Sequence, residues 1–343
     1  MVEFAGFSLP LRYTSELREH LAVRQRAGAF DVSHMGRLML SGPGALDTVQ
    51  RVCSNDAAAL SPGRAQYSLM LNERAGIVDD LIVCRLAEER FLLVVNAINR
   101  DKDRQWLAER AAPQTTVDDL SEELAMIAVQ GPAAEGILVR LGAEQARALS
   151  RFALGEMDVA GVRCLVSRTG YTGEDGFELC CPAGEAERVW EAVLAGEPGA
   201  EPCGLAARDS LRIEACLPLW GNELSEEITP VEARLSWVVK PEKGEFCGRE
   251  AFLRAREAGA ARKLVALKVE GRRVPRRGAT VRNMRGEAIG EVSSGSFSPV
   301  LNCGVGLAFV AREAAEVGER LRVDVGRGEV LATVAKKPLV GPS

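Results

Sequence analysis

The chain has little of what many catalytic and binding motifs are made from. It holds only two histidines, His20 and His34, in 343 residues. A zinc centre or a His-dependent triad therefore has little material to work with. Nine cysteines are scattered without a CxxC pair, and Cys180 and Cys181 are adjacent, which suits neither an ordinary disulfide nor a zinc site. The odd, dispersed set reads as reduced thiols of a cytoplasmic protein, most of them small core residues. No apolar run approaches the length that spans a bilayer. The opening MVEFAGFSLP lacks a basic region followed by an apolar stretch, so no signal peptide is read. No GxxxxGK[ST] occurs, and the Gly42-Pro43-Gly44 start of a dinucleotide fingerprint fails at Asp47, where a third glycine belongs. ATP and NAD are disfavoured. A net charge of −5 gives the whole protein no attraction to nucleic acid or to an anionic membrane.

What is present fits a soluble globular protein of two or three domains: 47% apolar and 27% charged residues. Residues 14–27 read as a helix capped by Thr14 or Ser15 and ended by Gly28. A strand at 37–40, a Ser-Gly-Pro turn and a helix at 44–53 recur as a strand at 125–129, a Gln-Gly-Pro turn and a helix at 133–141, which suggests a degenerate internal repeat. Between them lie strands at 66–71, 76–85 and 90–96, the last two joined by the Glu88-Glu89 turn, and a helix at 100–112. Strands at 159–167 and 177–181 and helices at 184–194 and 205–216 follow. This mixture with hairpins points to α+β rather than a doubly wound parallel sheet. From residue 264 short strands (264–269, 288–293, 304–310, 320–325, 329–335) alternate with Gly-, Pro- and Asn-rich turns, as in a small barrel or sandwich, and the charged stretch 255–262 reads as the junction.

Four segments carry groups suited to chemistry. GIVDDLIV (76–83) places two carboxylates in an apolar strand. Neighbours on a strand face opposite sides, so Val78, Asp80 and Ile82 share one face and Ile77, Asp79 and Leu81 the other. At least one acid is therefore partly desolvated, and it faces either a ligand or a structural partner. RTGYTGEDGFE (168–178) is a tight glycine-rich loop entering a strand, with Glu178 placed to accept paired hydrogen bonds from an amino-heterocycle; an ordinary acidic turn is the plainer alternative. CGLAARDSLRIEACLPLWG (203–221) sets Arg208, Arg212 and Glu214 among apolar helix residues. Each arginine there needs a partner, most commonly an internal acid and otherwise a substrate carboxylate. GRRVPRRG (271–278) puts four arginines in six positions, either a solvated basic turn or a dock for an acidic partner or anionic ligand tail.

Together these segments resemble the T-protein (aminomethyltransferase) family of the glycine cleavage system. Ten landmarks carry the resemblance in order: FAGFSLPLRY (4–13), GAFDVSHMG (28–36), YSLMLNERAGIVDDLIV (67–83), VVNAINRDKD (94–103), IAVQGPAA (127–134), TGYTGEDGFE (169–178), GLAARDSLRIEA (204–215), TPVEARLSWVV (229–239), FCGREA (246–251) and SSGSFSPVLNCGVGLAFV (293–310). The resemblance implies a three-domain cloverleaf: two interleaved ferredoxin-like α/β units over 1–263, a barrel over 264–343, and a folate in the central cavity. It implies tetrahydrofolate as acceptor co-substrate and no metal. The donor it implies is the aminomethyl group on lipoylated H-protein, with no nucleic-acid or membrane partner and a cytoplasmic location. Asp80 is then the catalytic acid, orienting the folate and assisting proton movement. Tyr67, Asn96, Tyr171, Glu178, Arg208 and Arg276 bind folate, with Glu178 on the pterin's amino edge, Arg208 holding substrate, Tyr171 lining the wall and Arg276 near the glutamate tail or domain junction. His34 matches a histidine expected to be structural.

The sequence departs from the family pattern in lacking the customary N-terminal helix, in ending soon after KKPLV (336–340) without a terminal aromatic segment, and in carrying Cys247 where an aliphatic residue is usual. Two other activities share the fold. One is a folate-dependent demethylase. The other is a folate-binding iron–sulfur assembly factor, whose motif cysteine is replaced here by Glu245 in KGEFCGRE (243–250).

Overall fold

The two Gly-Pro turns are built alike. Gly42 (φ +102°) and Gly131 (φ +124°) lie in a backbone region that favours glycine. A Cβ on either would meet backbone oxygen, Gln114 O at 2.2 Å from Gly42 and Val23 O at 2.4 Å from Gly131. In each turn the glycine carbonyl accepts from an amide three residues on, Ala45 N and Ala134 N, both at 2.9 Å. Each turn thus throws a strand directly into a helix, and the repeat read in the sequence is a repeat of structure.

The computed structural model describes residues 1–342; Ser343, the last residue of the expected barrel unit, lies outside the described residues. In chain order the elements are β1 (Val2–Phe4), β2 (Phe7–Leu9), α1 (Glu16–Gln25), β3 (Gly28–Asp31), β4 (Gly36–Ser41), α2 (Ala45–Val52), β5 (Arg64–Leu71), β6 (Ile77–Ala87), β7 (Arg90–Val95), α3 (Arg100–Glu109), β8 (Thr116–Asp119), β9 (Leu124–Gln130), α4 (Ala134–Arg140), β10 (Leu154–Val159), β11 (Val162–Ser167), β12 (Gly176–Pro182), α5 (Ala186–Leu194), β13 (Glu201–Pro202) and α6 (Leu205–Glu214). Then come α7 (Arg249–Ala258), β14 (Arg262–Val269), β15 (Thr280–Arg282), β16 (Ala288–Ser298), β17 (Cys303–Ala311), β18 (Arg320–Asp324) and β19 (Glu329–Ala335).

One sheet runs β10-β11-β12-β9-β3-β13, a second runs β5-β6-β7-β4-β8, and the C-terminal strands close a barrel in the order β14-β17-β16-β15-β18-β19. The chain visits the first sheet with β3, leaves to build all of the second, and returns with β9, so the two sheets are interleaved. The fold is α+β with a terminal barrel, and of the two forms read for the tail the barrel is the one adopted. Each sheet packs helices on one face: Ile137, Leu138, Val189 and Val193 of α4 and α5 on the first, and Val49, Val52 and Leu107 of α2 and α3 on the second. The opposite faces approach one another through Met39, Ile82, Cys84 and Leu92 against Leu154 and Leu165.

Several local readings are corrected. Residues 159–167 are a hairpin, not one strand: Ala160 and Gly161 both have positive φ, Val159 pairs with Val162, and β10 precedes the turn. The junction at 255–262 is half helix: α7 runs to Ala258 and buries Phe252, and β14 starts at Arg262. Val78 does not share the face of Asp80. A bulge sets Met70 opposite Asp79 and Leu71 opposite Ile77, and the extra residue, Val78, turns into the core under α2 and α3. From Asp79 to Arg85 the alternation is regular, and a second shift falls between Arg85 and Ala87.

His20 has a richer environment than its scarcity suggested. Its Nδ1 lies 2.8 Å from Ser210 Oγ and its Nε2 3.0 Å from Glu214 Oε2. The spacing is that of a nucleophile–base–acid relay, but all three side chains are buried. Glu214 also accepts from Arg24 at 2.8 Å and from Ser298 of the barrel. The cluster locks α1, α6 and β16 together.

Candidate active site

The bulge in β6 decides which acid does what. Asp79 shares the face of Leu81 and points under the helices, where it is fully buried. Its Oδ1 accepts from Asn96 Nδ2 at 2.9 Å and Asn99 Nδ2 at 2.6 Å, and its Oδ2 from the Asn96 amide at 3.0 Å. Asp80 shares the face of Ile82 and turns toward the space between the two sheets, partly exposed. Tyr67, two residues before Leu69, its opposite on β5, donates its hydroxyl to Asp80 Oδ2 at 3.0 Å; Asn96 Nδ2 reaches Oδ1 at 2.8 Å. No arginine pairs with Asp80 among the described residues. Desolvation first, then the neighbouring Asp79 charge, push the Asp80 carboxyl up to about 7, against the pull of its two hydrogen bonds. A carboxyl poised there both accepts and returns a proton at neutral pH.

Other predicted residues gather around this acid. Tyr171 anchors its hydroxyl on Pro218 O at 2.5 Å, and burial, more than the influence of Asp80, keeps that phenol protonated. The Arg208 guanidinium lies 4.8 Å from the Tyr171 ring centroid. Glu178 sits on the inner face of β12, with Phe177 and Leu179 turned into the core beneath α4 and α5. Its Oε2 accepts from Thr169 at 2.5 Å, and burial raises its carboxyl while Thr169 and Arg208 lower it.

The arginines of α6 separate cleanly. Arg212 is consumed internally by Asp209 and Glu223, both at 2.8 Å, and by Ser294 at 2.7 Å. Arg208 has no hydrogen bond or ion pair to a side chain among the described residues, and desolvation lowers its pKa. It lines a shallow surface dimple with Leu9, Pro10, Phe30, Asp31 and Gly204. Glu178 acts on this guanidinium through charge without a hydrogen bond, so the Arg208 fork keeps its donors open. Arg276 stands apart: it is exposed on the loop between β14 and β15, and no contact ties it to the acids. His34 is buried with its Nδ1 unpartnered, 5.6 Å from the Phe4 ring; burial lowers its pKa to about 4 and keeps it neutral. No cluster of metal ligands occurs among the described residues.

Sequence reasoning missed three residues. Trp237, highly exposed, stacks on Tyr67 with centroids 6.3 Å apart and planes at 29°; an unburied tryptophan in TPVEARLSWVV was the available signal. Asn99 and Asp103 close around Asp79 from α3 and the turn before it. Both lie in VVNAINRDKD, but a helix periodicity gives no warning that its polar residues point inward.

Comparison with known proteins identifies the family and the fold. The family model described as the GCVT N-terminal domain matches residues 1–243, and that of the glycine cleavage T-protein C-terminal barrel domain matches 262–340. A protein of Desulforamulus reducens named aminomethyltransferase is 46% identical, covering 98% of this chain and 93% of its own length. Its namesake in Bacillus subtilis is 45% identical over 98% and 94%. The crystal structure of the glycine cleavage system aminomethyltransferase T of Bartonella henselae superposes with a TM-score of 0.93 at 38% identity, covering 99% of this chain and 93% of that one. With both family models matched in sequence, near-complete alignment to these relatives and the same fold throughout, the chain belongs to the glycine cleavage T-protein family of aminomethyltransferases.

Proposed function

We propose that this chain transfers the one-carbon unit of an aminomethyl-dihydrolipoyl group on H-protein to tetrahydrofolate, with Asp80 as the proton-handling residue. The overall change is balanced. Two folate N–H groups are replaced by two N–C bonds to the methylene carbon, and the carbon's bonds to nitrogen and sulfur break. The two protons leave on ammonia and on the dihydrolipoyl thiol, giving 5,10-methylenetetrahydrofolate. Asp80 takes a proton from the attacking folate nitrogen and returns it to a departing group, which its position near 7 suits. Tyr67 and Asn96 fix its carboxylate, Glu178 offers an acceptor to the pterin's amino edge, Tyr171 and Trp237 supply flat walls, and Arg208 offers an uncommitted cation to the substrate. Arg276 receives the glutamate tail. A reactive methylene must meet nitrogen before water does, so positioning and exclusion of water supply the rest.

The observation that carries this reading is a carboxyl tuned to neutrality and an arginine without a hydrogen-bonded acid, which both act on Tyr171. No helix is long and apolar enough to cross a membrane, and both reactants are taken as water-borne. The test mixes purified protein, tetrahydrofolate and aminomethyl-loaded H-protein and follows methylenetetrahydrofolate. Steady formation supports the reading. Turnover only with a free methylated donor establishes the demethylase instead, and folate binding without any turnover the assembly factor.

A further inference from the structure

Behind Asp80, on the helix side of β6, lies a second pair of carboxyls that the reaction as described does not use. We propose that Asp103 is a neutral carboxylic acid that donates its proton to Asp79 and, through Asp79 and Asn96, holds Asp80 in place. The inference rests on the reading of Asp80 as the folate-facing acid and extends it to a positioning residue one layer deeper.

The argument is a count of donors. An ionised carboxylate offers about four acceptor sites. Asp79 fills three with N–H donors: Asn96 Nδ2, Asn99 Nδ2 and the Asn96 amide. Asp103 is fully buried on α3, and neither of its oxygens receives a donor among the described residues. A buried carboxylate with nothing donating to it is the costlier of the two to ionise. One proton between the pair therefore resides on Asp103 and occupies the fourth site of Asp79. Desolvation and then the Asp79 charge push the Asp103 carboxyl up to about 11.

The surroundings agree. Lys102, on the same helix, lowers the Asp103 carboxyl less than burial and Asp79 raise it; its ammonium donates to Val78 O at 2.8 Å and Glu226 at 3.0 Å, 4.3 Å from the Trp220 ring centroid. From β6 Asp79 faces Asp103 and Asp80 acts from the opposite face, and both oppose its ionisation. From the end of α2 it feels Cys53, a thiol whose burial pushes it up to about 11 and so keeps it neutral.

The consequence reaches the site in two ways. Asn96 divides its donors between the two aspartates, its amide nitrogen reaching Asp79 Oδ1 and Asp80 Oδ1 and its backbone N–H Asp79 Oδ2. Fixing Asp79 therefore fixes the group that orients Asp80. Burial raises the Asp79 carboxyl too, against the donors of Asn96 and Asn99; with the shared proton kept on Asp103, Asp79 carries the charge that raises Asp80.

The test uses the full-length protein and three variants. In D103L the donor is lost, and kcat falls about 10-fold with the KM for folate little changed, as for a misplaced catalytic group. D103N puts an amide donor back and recovers most of that loss. D79N removes the anion and moves the acid limb of the kcat profile to lower pH. Infrared spectra of the ligand-free protein at neutral pH show the carbonyl stretch of a protonated carboxyl that disappears in D103N; this reading stands even where D103L fails to fold. An infrared spectrum that D103N leaves unchanged, a folded D103N as slow as D103L, or an unmoved limb in D79N overturns the assignment. Because the infrared measurement needs no folate, its failure strikes the proton on Asp103 alone, whereas absence of transfer by the unaltered protein strikes the reading of Asp80.

Discussion

The two sheets are the same construction with different contents. Each lays a three-strand meander, β5-β6-β7 or β10-β11-β12, beside the strand that precedes it in the chain, β4 or β9, and each leaves that strand through a Gly-Pro turn into a helix. The middle strand of one meander, β6, carries Asp79 and Asp80. The middle strand of the other, β11, buries Val162, Cys164 and Val166 and no acid. A scaffold used twice thus holds the adjacent carboxyls once, and the difference lies in side chains and local bulges rather than in topology. The first sheet contributes Glu178 from β12, the strand beside its middle one, an acceptor without a carboxylate neighbour on the adjacent strands.

The largest expected effect tests whether the acids are as unequal as the sheets imply. Asp80→Asn should lower kcat by about 10²–10³-fold while far-ultraviolet circular dichroism stays unchanged; near-normal turnover removes Asp80 from the chemistry. Glu178→Gln, on the partner sheet, should act mainly on KM for folate, by about 10-fold, the scale of one charge-assisted hydrogen bond. A drop in kcat matching that of D80N would erase the distinction between the two sheets. Alanine at Gly42 and at Gly131 should destabilise the two halves alike, by about 1–3 kcal/mol in chemical denaturation, because both sites combine positive φ with a backbone oxygen closer than 3 Å.

Smaller shifts read the tuning of Asp80. Tyr67 donates to Asp80 and lowers its pKa, so Tyr67→Phe should move the acid limb of the rate profile, near pH 7 in the unaltered protein, to higher pH. Stability follows the same group. The Asp80 carboxyl is raised in the folded state from 3.8 to about 7, so the fold gains from protonation at low pH and loses that gain as pH rises through the folded value. D80N should therefore melt above the unaltered protein at pH 8, with the gap closing as pH falls through 7 toward 4.

Much of this was legible in the sequence. The period-two alternation of 76–83 put Asp79 and Asp80 on opposite faces, and the structure gives each face its own task. The Gly-Pro repeat, the Glu88-Glu89 hairpin and the barrel strands carried local signals strong enough to read. What escaped was set by distant partners. The pair β3 and β13 is too short to show a period: β13 is two residues added parallel to the edge of β3. The turn at Ala160-Gly161 lacks an asparagine or aspartate to announce it. α7 shows no apolar stripe, because only Phe252 is buried along it. Arg208 and Arg212 are alike in sequence, four residues apart on one helix, and only the position of Glu223 and Ser294 shows which is already committed.

The account's central claim is that Asp80 faces a folate between the sheets, and a crystal structure with bound tetrahydrofolate tests it most directly. The account predicts the pteridine between Tyr67 and Tyr171, with a ring nitrogen within hydrogen-bond distance of the Asp80 carboxylate and the amino edge on Glu178. A folate bound elsewhere, with Asp80 left facing water, would contradict it.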